Sequence, residues 1–195
     1  MTKEITITNL MVSVLIKPIK GFNKILNQPK YNYIYLLIVC YGLFQGINKT
    51  LSEYDVSRFD LFLTKSIGAI LIAIISIFII CFLYSWIIYF IGFSLKGLAN
   101  YRMTFTVVCY SLIPLIVGSI LIIFSKIVYL NFSGISIETF NSFIYYFHGL
   151  FIVWSLYTLV IGYSLINKFS ILKSTIGSIG IFFIVGLIYI ILQLK

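Results

Sequence analysis

His148 is the only histidine of this chain, and the five carboxylates are Glu4, Glu53, Asp55, Asp60 and Glu138. None of them lies within a helical turn or two of His148 in sequence. Acid–base or nucleophilic catalysis needs a base held within hydrogen-bond reach of its partner. No HExxH, GxSxG or Walker pattern supplies such a set. Cys40, Cys81 and Cys109 are far apart and form no CxxC or Cys/His spacing, so neither a disulfide framework nor a metal site is expected. They read as small buried apolar residues, and His148 reads as structural. No catalytic residue, cofactor or metal is expected, and the chain is read as a non-enzyme.

The chemistry that remains is electrostatic. Between Pro18 and Leu26, Lys17, Lys20 and Lys24 share one side of a helix, opposite Ile19, Phe22, Ile25 and Leu26. Such a basic amphipathic helix suits the headgroup region, with its lysines near anionic lipid. Packing of the same apolar face on the ends of the spans is the equal alternative. Pro18 suits the first turn, where a missing N–H costs little. A second basic surface is the connection 96–102, where Lys96 and Arg102 flank Gly97, a residue able to take a positive φ. Lipid phosphate or an acidic partner is what these cations fit; topology anchoring alone is the plainer role.

The elements that position these groups are membrane spans. Hydrophobic residues make up 61% of the chain and charged ones only 10%, far from the balance of a soluble domain. The net charge of +9 does not point to nucleic acid, because the cations sit beside apolar runs as anchors do. Charge-free runs cover 31–48, 66–95, 103–125, 139–167 and 174–194, each long enough for a helical span. The fold class expected is all-α: a polytopic bundle of about five spans behind a short interfacial helix. Residues 1–30 form the N-terminal segment and 31–195 the five-span domain. Loops of 49–65 and 126–138 are expected on one side, and of 96–102 and 168–173 on the other.

With the N-terminus inside, Lys3, Lys17, Lys20, Lys24, Lys30, Lys96, Arg102, Lys168 and Lys173 face the cytosol. Lys49, Arg58, Lys65, Lys126 and Lys195 fall outside, a nine-to-five bias that sets the orientation. The C-terminus is then outside. Cysteine labelling at Asn100 should report the cytosolic side and labelling at Ser57 the opposite one. Access to Asn100 only from outside would overturn this orientation.

Within the spans, Gly42 and Gly46 make a small-residue pair in the first, and Ala69 and Ala73 in the second. Both suit close helix packing, inside the bundle before a dimer seam. Pro114 removes a backbone hydrogen bond from the third span and predicts a kink there.

Three segments carry a family resemblance. LIKPIKGFNKILNQPKY, with Pro18, Phe22 and Pro29, resembles the pre-membrane segment of prokaryotic members of the Yip family of Ypt/Rab-interacting membrane proteins. WIIYFIGFSLKGLANYRMTFTVVCYSLIPLIVG resembles that family's second and third spans, with Gly97, Arg102, Tyr110 and Pro114. IVWSLYTLVIGYSLINKFSILKS resembles the fourth span and the next inner loop, with Trp154, Gly162 and Lys173. The resemblance implies five spans and a cytosolic N-terminus, in a prokaryotic cytoplasmic membrane. It does not carry GTPase binding over, because the acidic-Leu-Tyr-Gly-Pro-like motif of the eukaryotic tail is absent. It brings no catalytic residue. The function expected is a non-enzymatic scaffold or accessory subunit, with the bilayer and other membrane proteins, such as a transporter complex, as partners. The alternative is a permease subunit for a neutral or lipid-like substrate, with a path beside Pro114.

Overall fold

The computed structural model describes residues 7–27, 32–53, 59–131 and 137–180, and every regular element among them is helical. In order these are α1 (Ile7–Ile16), α2 (Pro18–Asn27), α3 (Asn32–Glu53), α4 (Phe59–Ser94), α5 (Tyr101–Tyr110), α6 (Ile113–Asn131) and α7 (Ile137–Asn167). Residues 171–180 are helical as well. Among the described residues, four stretches are long and apolar enough to cross a membrane: Tyr33–Ser52, Thr64–Ser94, Tyr101–Tyr129 and Thr139–Asn167. The chain is a polytopic helical membrane protein. The fifth expected span, 174–194, lies outside the described residues beyond position 180.

Several expected boundaries shift. α3 continues past Lys49 to Glu53, and α6 continues past Lys126 to Asn131. A lysine ends an apolar run, but it does not end backbone hydrogen bonding, and its long stem lets the ammonium reach a polar level. α4 has 36 residues, about 54 Å of helix at 1.5 Å per residue. That exceeds a hydrocarbon core of about 30 Å, so the helix tilts or projects. Its most apolar stretch is only 6% buried, against 61% for Tyr101–Tyr129, an exposure that suits a helix solvated by lipid.

Pro114 does more than kink that span. α5 stops at Tyr110, Ser111 and Leu112 form a turn, and α6 restarts at Ile113. Pro114 thus falls in the first turn of a new helix, where it forfeits no hydrogen bond. The Ser111 hydroxyl donates to the Val108 carbonyl at 2.6 Å, which satisfies an acceptor at the break. Residues 110–114 are all buried.

The described residues form two compact units. One comprises 7–27, 82–111 and 156–180; the other comprises 32–53, 59–81, 112–131 and 137–155. In the second unit, α3 meets α4 backbone to backbone. A Cβ on Gly42 would lie 2.6 Å from Ile74 Cα, and one on Gly46 would lie 2.5 Å from Ile70 Cα. Ala69 and Ala73 are half-buried beside those contact positions. α6 joins α3 through Gln45 Nε2, which donates to Ser119 Oγ at 3.3 Å. Lys126 Nζ donates to the Asn48 carbonyl at 3.3 Å, to Asn48 Oδ1 at 2.5 Å and to Ser52 Oγ at 2.5 Å. Those oxygens sit in the last turns of α3, where a cation meets both unpaired carbonyls and the negative end of the helix dipole.

Candidate functional site

The first unit holds both basic surfaces expected from the sequence. Its described residues carry Lys17, Lys20, Lys24, Lys96, Arg102, Lys168 and Lys173, and not one Asp or Glu. Two structures present them: a helical hairpin and a pair of helix ends.

The hairpin is α1 and α2. α1 went unpredicted, because its apolar run is short and has no polar face to announce an amphipathic period. Lys17 breaks the helix between Ile16 and Pro18, and Pro18 opens α2 as its fixed φ favours. The two helices cross at Gly21, where a Cβ would lie 2.7 Å from Val14 Cα and N. Phe22 and Ile25 are fully buried with Leu10 and Val14. Phe22 fills a notch at Gly162 on α7: a Cβ there would meet the Phe22 ring at 2.8 Å and Val107 Cγ1 at 2.7 Å. Of the α2 apolar face, Phe22 and Ile25 are buried within the protein, because the Gly162 notch accepts the aromatic ring in close packing, while Ile19 stays exposed. Lys17, Lys20 and Lys24 remain exposed on the other side. They border a groove of about 300 Å³ with Val12, Ser13 and Ile16. Lys24 Nζ donates to Ser13 Oγ at 3.1 Å, and that hydroxyl donates to the Asn9 carbonyl at 2.7 Å.

The helix ends are those of α4 and α7. At the first, Lys96 N–H donates to Phe93 O at 2.9 Å and Gly97 N–H to Gly92 O at 2.8 Å. This is a Schellman cap, whose left-handed position glycine usually fills. Here Lys96 fills it, with φ 61°. At the end of α7, Phe169 N–H donates to Ser164 O at 3.1 Å, and Lys168 takes φ 55°. Gly97, expected to supply the positive φ, does not. It is glycine because a Cβ would lie 2.1 Å from Asn167 Oδ1 and 2.9 Å from Gly92 O.

Asn167 clamps the connection. Its Oδ1 accepts from Ala99 N–H at 3.3 Å, and its Nδ2 donates to Tyr163 O at 3.2 Å. Lys173 Nζ donates to Leu95 O at 2.8 Å and lies 4.1 Å from the centre of the Phe169 ring. Tyr163 hydroxyl donates to Ile88 O at 2.8 Å, and Tyr84 hydroxyl donates to Ser178 O. Asn100 then caps α5, its Oδ1 accepting from Met103 N–H at 2.9 Å, which leaves Arg102 exposed in the first turn. Sequence reasoning missed Asn167, Tyr163 and Lys168. The only available signal was a polar residue, Asn167, closing an apolar run.

His148, Cys40 and Cys81 belong to the second unit and Cys109 to the first. His148 is half-buried on α7, and its Nδ1 has no hydrogen-bond partner. Cys81 and Cys109 are buried and Cys40 is half-buried. Among the described residues no three His, Cys, Asp or Glu side chains gather where a metal ion would sit. In the second unit an apolar groove of about 530 Å³ runs between α6 and α7, lined by Phe124, Val128, Tyr129, Phe140 and Phe143 among others. No charged group is among its described lining residues.

A family model described as the Yip1 domain matches residues 12–193. The matched range opens inside α1, so α2 and the second half of α1 lie within it. No curated protein and no solved structure matches the chain.

Proposed function

The chain belongs to the Yip1 domain family, and from that premise we propose that it is a non-enzymatic membrane scaffold or accessory subunit. In this reading it grips a neighbouring membrane protein through the basic face of its first unit, on the cytosolic side. One observation carries it. Lys96 and Lys168 occupy left-handed positions, φ 61° and 55°, that glycine would fill without strain. A side chain there costs about 1 kcal/mol, and strain of this kind concentrates where function requires the residue. Both positions trade stability for a cation in a region with no described carboxylate. A partner with acidic groups at the same membrane level would meet them with complementary charge. The permease alternative gains no comparable support, since residues 110–114 beside its expected path are buried.

The test separates stability from binding. Purified in mild detergent from its own membranes, the chain should bring down a membrane protein in stoichiometric amount. In the Lys96→Gly/Lys168→Gly double variant, the unfolding free energy should hold or rise, by about 1 kcal/mol per site, while recovery of the partner falls at least about tenfold. Undiminished recovery, or a wild-type chain that purifies alone, would count against the scaffold reading.

A further inference from the structure

We propose that the groove between α1 and α2 binds the headgroup phosphate of an anionic glycerophospholipid. Val12, Ile16 and Ile19 would then rest against the start of its acyl chains. The inference is independent of the protein partner proposed above and uses different residues.

Phe22 anchors the hairpin at Gly162, five residues before the end of α7 at Asn167. Five residues of helix are about 7.5 Å, so the hairpin sits at the boundary between headgroups and acyl chains. A groove there is offered lipid at very high local concentration.

The groove mixes aliphatic and cationic side chains. Val12 is 52%, Ile16 64% and Ile19 51% exposed, next to three exposed lysines. In water this would be an unstable arrangement for large aliphatic groups. At the interface it is a favoured one: aliphatic groups enter the acyl boundary and ammonium groups stay at phosphate level. The apolar contribution therefore comes from residues bordering the lysines, since Phe22 and Ile25 are already committed to the bundle.

No Asp or Glu occurs between positions 5 and 52 of the sequence, so no neighbouring carboxylate in that stretch neutralises the lysines. Lys24 is held in place by Ser13, which orients one ammonium along the groove and lowers the ordering cost of binding. The cavity of about 300 Å³ admits a phosphate and glycerol, not a folded protein segment.

The experiment uses full-length protein in neutral detergent, titrated with fluorescent phosphatidylglycerol or phosphatidylcholine. Each lysine near an anionic surface contributes a factor of about five, so phosphatidylglycerol should bind up to about 100-fold more tightly. The Lys17→Gln/Lys20→Gln/Lys24→Gln variant, altered only at exposed positions, should lose that preference. Lys96→Gln/Arg102→Gln/Lys168→Gln should keep it. Ile16→Ser should weaken binding of both lipids several-fold. Equal affinity for the two lipids would overturn the proposal. So would a preference that survives in the first variant, or that is lost equally in the second. Displacement of the lipid by millimolar inorganic phosphate would identify a general anion site and overturn it as well.

Discussion

Gly46→Val should lower the stability of the folded protein by about 3 kcal/mol or more, the largest single loss expected in the second unit. The reason is what the new Cβ meets. It would lie 2.5 Å from Ile70 Cα and 2.7 Å from Ile70 N, and backbone atoms cannot rotate away. α3 and α4 must therefore separate along the whole seam, which also opens the Gly42–Ile74 contact one turn away. Van der Waals packing is the chief attraction between helices in lipid, so a gap there is not offset by other forces. Two controls sharpen the expectation. Ile70→Ala should fail to rescue Gly46→Val, because the obstruction is main chain. Gly68→Ala, where a Cβ meets nothing within 4 Å, should be neutral or stabilising by up to about 1 kcal/mol through helix propensity. Thermal unfolding in detergent reads all three, and a stable Gly46→Val would refute the seam.

Lys126→Met should cost about 2–3 kcal/mol, and Lys173→Met nearly as much. Each lysine carries its charge to the C-terminal end of another helix within its own unit. Lys126 reaches Asn48 and Ser52 on α3, and Lys173 reaches Leu95 at the end of α4. A hydrogen bond to a charged group contributes about 1.5–3 kcal/mol net, and the helix dipole adds to it. Methionine keeps the stem and removes the ammonium, so oxygens at these helix ends lose their donor. Lys65→Met, at an exposed position on α4, should cost less than about 0.5 kcal/mol. Equal losses at positions 65, 126 and 173 would mean that total charge, not these contacts, sets stability.

The sequence made the spans legible because a bilayer demands long apolar helices, and charge-free runs mark them plainly. Gly42 and Gly46 were legible for the same reason: few other residue types let two backbones meet. The helix ends were harder. Lys49 and Lys126 look like loop residues until the stem of Lys126 is seen reaching α3. α1 is short and evenly apolar, and only its contact at Gly21 shows that it pairs with α2. Pro114 pointed to the right place in the third span, yet the extent of the break depended on Ser111 accepting a turn beside it. Gly97 was misread for a general reason. Glycine marks either a positive φ or a close approach, and sequence does not distinguish them; here Asn167 presses on Gly97 while Lys96 takes the positive φ. Asn167, 68 residues from its partner Ala99, showed locally only as a polar residue closing an apolar run.

The most direct measurement of the central claim is a photo-crosslinker placed at Leu98, which is 67% exposed between Lys96 and Arg102. Activated in native membranes, it should join the chain to one other membrane protein with acidic residues at its cytosolic surface. The same adduct should fade when Lys96 and Lys168 are both changed to glycine. An adduct that persists undiminished in that variant, or labelling that captures no protein at all, would contradict a scaffold acting through this basic face.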